Sequence, residues 1–290
     1  EGNNATIQDS KFDNLNSAYG GAIFVDGESS NILRSSFDNC VASNDGGAVY
    51  IADIGTTVAY SNFTHSKAKT GGAIFINGKN TIISYSNINN NTATSAGAIK
   101  VSGNDSYISN CNISYNRATN GAGGALDIGG ERTSVYYSLF SFNTASGNGG
   151  AINWIGGHGN DSIIGTTFLN NSNTGPQGGG AIFWTMGAVI AKGGLIKDSF
   201  FINNSAYNKH GGAINWYRTE DSKIENCKFV NNYASSDGGA LYTGDQGGLS
   251  RNLTFINSQF YNNTAGKHGG AIANQMEGSW IYNNTFDGNK

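Results

Sequence analysis

The residues that could do chemistry in this chain cluster in four stretches, 155–162, 185–195, 217–222 and 243–253. These stretches and the tryptophans just before them combine aromatic rings with cationic and acidic groups. Such side chains suit the binding of a polar ligand by ring stacking and hydrogen bonding. The candidate binding residues are Trp154, Trp184, Trp216, Tyr217, Arg218, Asp221, Asp245 and Arg251.

A repeat that runs through the whole chain must position these stretches. Its marker is a Gly-Ala-Ile element, and a large apolar residue precedes each marker, with a second apolar residue always five positions earlier. Successive markers are separated by 25 to 32 residues. The alanines of the markers are Ala22, Ala48, Ala73, Ala98, Ala125, Ala151, Ala181, Ala213, Ala240 and Ala271.

No single repeat could bury its own apolar face, but stacked repeats can form a continuous core. Short strands separated by Asn, Ser and Gly turns predict an all-β fold, a right-handed parallel β-helix or solenoid. We expect about 10–11 coils, with three short strands in each. Residues 1–290 are expected to form a single β-helix domain, part of a longer surface protein.

The extra length of the longer repeats falls at one corner, in coils six to nine. Insertions on one side of a solenoid are where binding surfaces are usually built; length drift without function is the alternative. Trp154, Trp184 and Trp216 stand where earlier coils carry Val or Ile. Strand alternation points this position inward, which favours an internal aromatic stack. The alternative is an aromatic strip for stacking sugar rings.

The register also assigns roles to asparagines and cysteines. Asparagines three positions after the large apolar residue predict an Asn ladder at a corner, each amide bonding the coils above and below. They are Asn91, Asn116, Asn143, Asn171, Asn204, Asn232, Asn263 and Asn289. Cys111 and Cys227 occupy equivalent positions four coils apart, roughly 19 Å at the strand spacing. Cys40 is expected at the Asn-ladder corner of coil two, so we expect three free thiols.

No catalytic residue, metal site or cofactor is expected. Glycoside hydrolysis needs two carboxylates about 5–10 Å apart. Glu220 and Asp221 are adjacent in sequence and diverge, and Asp161 and Asp245 lie three coils apart. The histidines are distant from one another and show no close spacing to a cysteine.

Composition narrows the partners. The formal charge of -3 gives no electrostatic reason to expect binding to nucleic acid. The sequence contains no run of about 18 apolar residues, so insertion into a membrane is not expected. Abundant Asn-x-Ser/Thr sequons give modest support for an exported glycoprotein. The glycosylation candidates are Asn4, Asn62, Asn90, Asn104, Asn112, Asn160, Asn170, Asn203, Asn252, Asn262 and Asn283.

Repeated Gly-Gly-Ala-Ile, as at 71–74, combined with Phe-x-x-Asn, as at 201–204, resembles the chlamydial polymorphic outer-membrane protein repeat. The Asn-rich version is also similar to adhesin-like surface proteins of methanogenic archaea. The resemblance covers nearly the whole chain. It implies an extracellular, surface-displayed module for cell adhesion, with a cell-surface glycan or protein as its ligand.

Two other functions stay open. Many right-handed β-helices are polysaccharide lyases or glycoside hydrolases, so a glycan-active enzyme is an alternative by fold analogy. End-to-end self-association into an extracellular filament is the second, since exposed strand edges of a solenoid can pair with another copy. Facing carboxylates in a groove would favour the enzyme, exposed aromatics without them a binding module, and coil edges joined between subunits a filament.

Overall fold

The chain forms a parallel β-helix of four sheets, as seen in a computed structural model that describes residues 3–156, 159, 161–185, 191–244 and 251–290. In this part of the chain every regular element is a strand. Each strand pairs in parallel with its counterpart one repeat later. None of the described residues forms a helix long and apolar enough to cross a membrane. The predicted parallel β-helix is confirmed.

Sheets 1 and 2 contain eleven strands each, and we number the coils by their sheet 1 strand. Sheet 1 consists of Thr6–Gln8, Asn31–Leu33, Thr57–Ala59, Ile82–Ser84, Tyr107–Ser109, Ser134–Tyr136, Ser162–Ile164, Leu195–Lys197, Lys223–Glu225, Thr254–Ile256 and Trp280–Tyr282. Sheet 2 consists of Lys11–Asp13, Ser36–Asp38, Asn62–Thr64, Asn87–Asn89, Asn112–Ser114, Leu139–Ser141, Thr167–Leu169, Phe200–Ile202, Lys228–Val230, Gln259–Tyr261 and Thr285–Asp287.

Sheets 3 and 4 contain ten strands each. Sheet 3 consists of Asn16–Tyr19, Val41–Asp45, Lys67–Thr70, Thr92–Ser95, Arg117–Ala118, Thr144–Ala145, Ser172–Asn173, Ser205–Ala206, Tyr233–Ala234 and Thr264–Ala265. Sheet 4 consists of Ile23–Val25, Val49–Ile51, Ile74–Ile76, Ile99–Val101, Leu126–Ile128, Ile152–Ile155, Ile182–Thr185, Ile214–Tyr217, Leu241–Gly244 and Ile272–Asn274.

The prediction of three strands per coil is therefore wrong, because sheet 3 was not recognised. Its strands are short, and most place only an alanine toward the core, as Ala93 and Ala118 do. One small apolar residue per strand gives too weak an alternation signal to identify a strand from sequence.

The core consists of columns of like side chains that stack along the helix. Sheet 2 contributes two runs of parallel phenylalanine rings, one through Phe12, Phe37 and Phe63 and another from Phe140 to Phe286. Neighbouring ring centroids in the second run are 4.7–5.1 Å apart, close to the coil spacing. Sheets 1 and 4 add columns of Ile and Val that are fully buried over most of their length.

A column of buried asparagines closes the corner between sheets 2 and 3. Asn143 Nδ2 donates to Asn171 Oδ1 at 3.0 Å and to the carbonyl oxygen of Ile113 at 2.8 Å. Asn171 repeats the pattern with Asn204 and Phe140. Each amide therefore joins neighbouring coils and satisfies polar groups that no water can reach.

Two corners turn through a single residue in the left-handed conformation. Between sheets 1 and 2, and again between sheets 2 and 3, every coil has one residue with φ near +50 to +60°. Asn, Asp and Gly tolerate this conformation, whereas it costs other residues about 1–2 kcal/mol of conformational free energy. Most of these positions hold Asn, Asp or Gly, and the exceptions are Arg34, Tyr60, His65, Tyr85, Tyr115, Tyr137 and Phe142.

The three cysteines are free and buried, as predicted. Burial raises the pKa of Cys111 to about 11 and that of Cys227 to about 12. Their thiols therefore act as small apolar groups inside the core.

Candidate functional site

The long corner between sheets 4 and 1 has a ladder of its own. Ala191–Lys192 pairs in parallel with Thr219–Glu220, and Arg251 continues the ladder with bridges to Glu220 and to Glu277. The insertions predicted as loops therefore add a short fifth sheet to the outside of coils seven to ten. This short ladder follows the ends of the four-residue sheet 4 strands.

Most of the described candidate residues at this corner contact other polar or aromatic groups. Arg251 Nε donates to Glu220 Oε1 at 3.0 Å, and Asp221 Oδ1 accepts from Asn252 Nδ2 at 3.0 Å. The guanidinium of Arg218 lies 5.5 Å from the centre of the Tyr217 ring. Asp245 lies outside the described residues. The corner is thus a polar surface held by an ion pair, a hydrogen bond and a cation–π contact, and the Arg251 side chain is still half-exposed.

Trp154, Trp184 and Trp216 form an internal stack and are fully buried. Neighbouring ring centroids are 4.3 and 4.9 Å apart. Buried rings cannot stack on an external sugar ring, so a sugar-stacking role for these three residues is wrong. Their side chains shape the site only indirectly, by widening the core beneath it.

The surface above this stack contains a cleft of about 250 Å³ on the outer face of sheet 4. Tyr217 is the candidate binding residue that lines it. The cleft is bounded by the turn before sheet 4 in coil seven, the equivalent turn in coil eight, the sheet 4 strands of coils eight and nine, and the residue that follows the sheet 4 strand of coil ten. Its lining residues are Pro176, Gln177, Lys209, His210, Asn215, Tyr217, Tyr242 and Gln275.

Amide and aromatic groups give the cleft its chemistry. Asn215 is 2% exposed; its Nδ2 donates to the Gln177 carbonyl oxygen at 2.5 Å, while its Oδ1 has no hydrogen-bond partner among the described residues. Tyr242 donates its hydroxyl to Gln275 Oε1 at 3.0 Å, and its ring stacks on His210 at 4.2 Å. A buried acceptor without a partner is costly unless a ligand or water donates to it.

An acidic group behind the cleft holds two histidines from different coils. Asp237 Oδ2 lies 2.9 Å from His210 Nδ1, and its Oδ1 lies 2.6 Å from His268 Nδ1. Burial acts to raise the pKa of Asp237, but hydrogen bonds from His268 and Ser236 and the two imidazoles outweigh it and keep the pKa below its usual value. Burial lowers the pKa of His210, and the Asp237 carboxylate only partly opposes this.

Asp161 is a second unusual carboxyl group, at the corner after sheet 4 in coil six. It is 2% exposed and its Oδ1 accepts from the Thr133 backbone amide at 2.8 Å. Burial, supported by the nearby charge of Glu131, raises the pKa of Asp161 to about 6. In the described part of the chain, no group of three or more His, Cys, Asp or Glu side chains is arranged to hold a metal ion.

The sequons have a structural explanation of their own. Seven of their asparagines adopt φ values of 52–60°, where asparagine is favoured whether or not it carries a glycan. These are Asn4, Asn90, Asn170, Asn203, Asn252, Asn262 and Asn283. Asn160 lies outside the described residues, and glycosylation of any sequon stays a prediction.

Sequence reasoning missed five of the cleft residues that argue for a site: Gln177, His210, Asn215, Tyr242 and Gln275. The sequence position that could have pointed to these residues is the outward-facing position of sheet 4, one residue before each tryptophan. That position becomes buried in coils five to nine, as Asn153 and Asn215 show. The turns that cover it could not be located from periodicity alone.

Two segments of the chain are similar to a known repeat family. Residues 226–244 and 257–275 match the model of the Chlamydia polymorphic membrane protein repeat. This match agrees with the resemblance found in the sequence and indicates a surface protein in general. No curated protein sequence matches the chain.

Solved structures match the chain as well. The crystal structure of pectate lyase Pel9A is 14% identical, covers 94% of this chain and 79% of its own, and has a TM-score of 0.56. The catalytic unit of the GH87 α-1,3-glucanase from Streptomyces thermodiastaticus strain HF3-3 is also 14% identical, with a TM-score of 0.42 over 98% of this chain and 63% of its own. The first likeness establishes the β-helical fold.

Proposed function

We propose that this chain is an adhesin-like binding module displayed on a cell surface, and that the sheet 4 cleft holds a glycan of another cell. The observation that carries the proposal is the lining of the cleft, in which the rings of Tyr217 and Tyr242 and the amides of Gln177 and Gln275 surround a space of about 250 Å³.

The rest of the cleft lining supports a sugar ligand. Tyr217 and Tyr242 offer ring surfaces for the CH groups of a pyranose, while Gln177 and Gln275 offer amides to its hydroxyls. Lys209 supplies a charge at the rim that would favour an acidic or sulfated sugar. Surface display is supported by the two polymorphic membrane protein repeats.

The experiment is a glycan-array and cell-binding assay with the intact domain and the double variant Tyr217→Ala/Gln275→Ala. We expect the variant to lose at least about tenfold in affinity, since each lost contact contributes roughly 1 kcal/mol. Tyr107→Ala is the matched control, because Tyr107 is an exposed tyrosine on sheet 1, away from the cleft.

If the double variant keeps its fold by circular dichroism and binds as tightly as the intact domain, the cleft is not the binding site. Equal loss in Tyr107→Ala would indicate a general surface effect. Binding to cells after enzymatic removal of their glycans would identify a protein ligand instead.

A polysaccharide-active enzyme is the second candidate, supported by the fold shared with pectate lyase Pel9A and by the raised pKa of Asp161. A carboxyl group with a raised pKa is suited to general acid catalysis, but Asp161 is buried. The test is incubation with polygalacturonate, with and without a divalent cation, followed by chromatography of the products. Oligosaccharide release that disappears in Asp161→Asn would favour the enzyme over the binding module.

A further inference from the structure

A second surface, on the side of the helix formed by sheet 2, has aromatic residues where the backbone disfavours them. The corner between sheets 1 and 2 needs one left-handed residue per coil, and seven of its eleven positions hold Asn, Asp or Gly. Tyr60, Tyr85 and Tyr137 hold three of the others, with φ of 48–55°. A tyrosine in this conformation is uncommon and invites a functional explanation.

These rings are presented to solvent. Tyr60, Tyr85 and Tyr137 are 58%, 53% and 64% exposed. Tyr60 and Tyr85 stack on each other at 5.0 Å with nearly parallel planes. Across sheet 2, Tyr115 and Phe142 occupy left-handed positions in coils five and six and also stack, at 4.9 Å. All five aromatic corner residues therefore lie in coils three to six.

One coil in the tyrosine row has no ring. Coil five carries Asn110 at this corner, between Tyr85 in coil four and Tyr137 in coil six. The ring of Tyr137 lies over Gly165 of coil seven, so closely that a Cβ there would be 2.5 Å from the ring. It therefore leans away from Asn110. The backbone positions of Tyr85 and Tyr137 lie two coil spacings apart, roughly 9.6 Å, which leaves room for one flat ring above Asn110.

The gap belongs to an open groove of about 800 Å³ whose lining contains no residue that is charged at neutral pH. Amides of Asn87, Asn110 and Asn112 lie beside the rings as donors and acceptors. Stacking faces with amides and without charge complement a neutral sugar, whose CH faces are apolar and whose rim carries hydroxyls. Stacking between neighbours does not explain Tyr137, because neither adjacent coil has a ring at its corner.

We propose that this groove, the tyrosine groove, is a second glycan-binding surface that takes a neutral polysaccharide, with one sugar ring inserted above Asn110 between Tyr85 and Tyr137. The groove lies on sheet 2, whereas the cleft proposed above lies on sheet 4, so the two proposals stand or fall separately. The left-handed tyrosines are retained for this surface at the expense of backbone stability.

The test uses affinity electrophoresis of the bacterially produced chain through gels that contain a neutral polysaccharide, namely mannan, xylan, galactan or hydroxyethyl cellulose. Bacterial production avoids glycosylation at Asn112, which heads a sequon in the groove. The variants are Tyr85→Asn and Tyr137→Asn. Asparagine suits φ near +50°, so the melting temperature should hold or rise while affinity for the retarding polysaccharide falls at least tenfold.

A third variant tests the gap itself. Asn110→Tyr should fold, because three other coils hold tyrosine at this position, and should abolish retardation by filling the gap. Tyr107→Ala, on sheet 1, and the cleft variant Tyr217→Ala/Gln275→Ala should be retarded like the unaltered chain.

Absence of retardation in all four neutral gels would overturn the proposal. Retardation that persists in Tyr85→Asn and Tyr137→Asn would also overturn it. An additional gel that contains polygalacturonate tests an acidic polysaccharide, and retardation in that gel alone would overturn the proposal as well. Sedimentation velocity is run in parallel: a dimer that these variants dissociate would identify the tyrosine groove as a self-association surface instead of a glycan site.

Discussion

The indole rings of Trp154 and Trp184 lie parallel, 4.3 Å between centroids and 3° between planes, inside the β-helix. Trp216 extends the stack, and none of the three Nε1 atoms has a hydrogen-bond partner in the part of the chain that the structure describes. The aromatic packing of coils six to eight therefore buries three indole N–H donors without hydrogen-bond partners among the described residues. This combination separates the effect of ring volume from the effect of indole polarity.

Trp184→Phe should destabilise the chain far less than Trp184→Ala. Phenylalanine keeps most of the stacked surface and removes a buried donor that costs about 1–3 kcal/mol unpaired, so we expect a loss of less than about 1.5 kcal/mol. Alanine leaves a cavity and should cost about 3–5 kcal/mol. Urea unfolding measures both values. Equal losses would mean that the indole nitrogen has a partner or that the ring stack contributes little.

Gly194→Ala tests how tightly the corner between sheets 4 and 1 packs against the tryptophan stack. A Cβ at this position would lie 2.9 Å from Trp216 Cζ2 and 3.3 Å from Trp184 Cζ2. We expect a loss of about 1–3 kcal/mol and a changed near-ultraviolet circular dichroism spectrum, because the rings must shift. Gly193→Ala is the matched control: it has φ of +81° and nothing within 4 Å, so it should show backbone strain with an unchanged aromatic spectrum.

Asn171→Ala should be among the most damaging polar substitutions. Asn171 Oδ1 accepts from the backbone and side-chain nitrogens of Asn143, each at 3.0 Å, and all these groups are buried. Removing the amide leaves the Asn143 backbone N–H and one of the two Nδ2 hydrogens of Asn143 unpaired, with an expected loss of about 2–4 kcal/mol in unfolding free energy. Asn170→Gly, at the left-handed corner one residue earlier, should be nearly neutral. Similar thermal shifts for the two variants would contradict this assignment.

The sequence determines this fold well because one register repeats through the chain. Phe229 pairs with Phe260 and Ile224 with Phe255, as the five-residue offset requires. The internal position of Trp154 also follows from strand alternation. Sheet 3 escaped detection because alanine gives a weak signal, and the fifth sheet escaped because its strands, such as Thr219–Glu220, follow no repeat.

The sites were much less predictable than the scaffold. The cleft depends on where Gln177 folds over Asn215, a contact between coils that no periodic pattern encodes. The tyrosine groove depends on the φ angle of Tyr85 and Tyr137, which sequence assigns only once the corner is known. Both sites arise from departures from the repeat, where composition cannot specify geometry.

Asp161→Asn should stabilise the chain at neutral pH. The pKa of Asp161, raised by burial to about 6 from an unfolded value of 3.8, means that the folded chain binds this proton more tightly than the unfolded chain. Its contribution to stability is therefore full below about pH 4, falls as the pH rises through 6, and stays low above. Asparagine can still accept from the Thr133 amide and carries no charge to desolvate. The variant should match the parent at pH 4 and exceed it by about 1–3 kcal/mol at pH 7, in urea unfolding at a series of pH values. A constant difference across that range would show that Asp161 titrates normally in the folded chain.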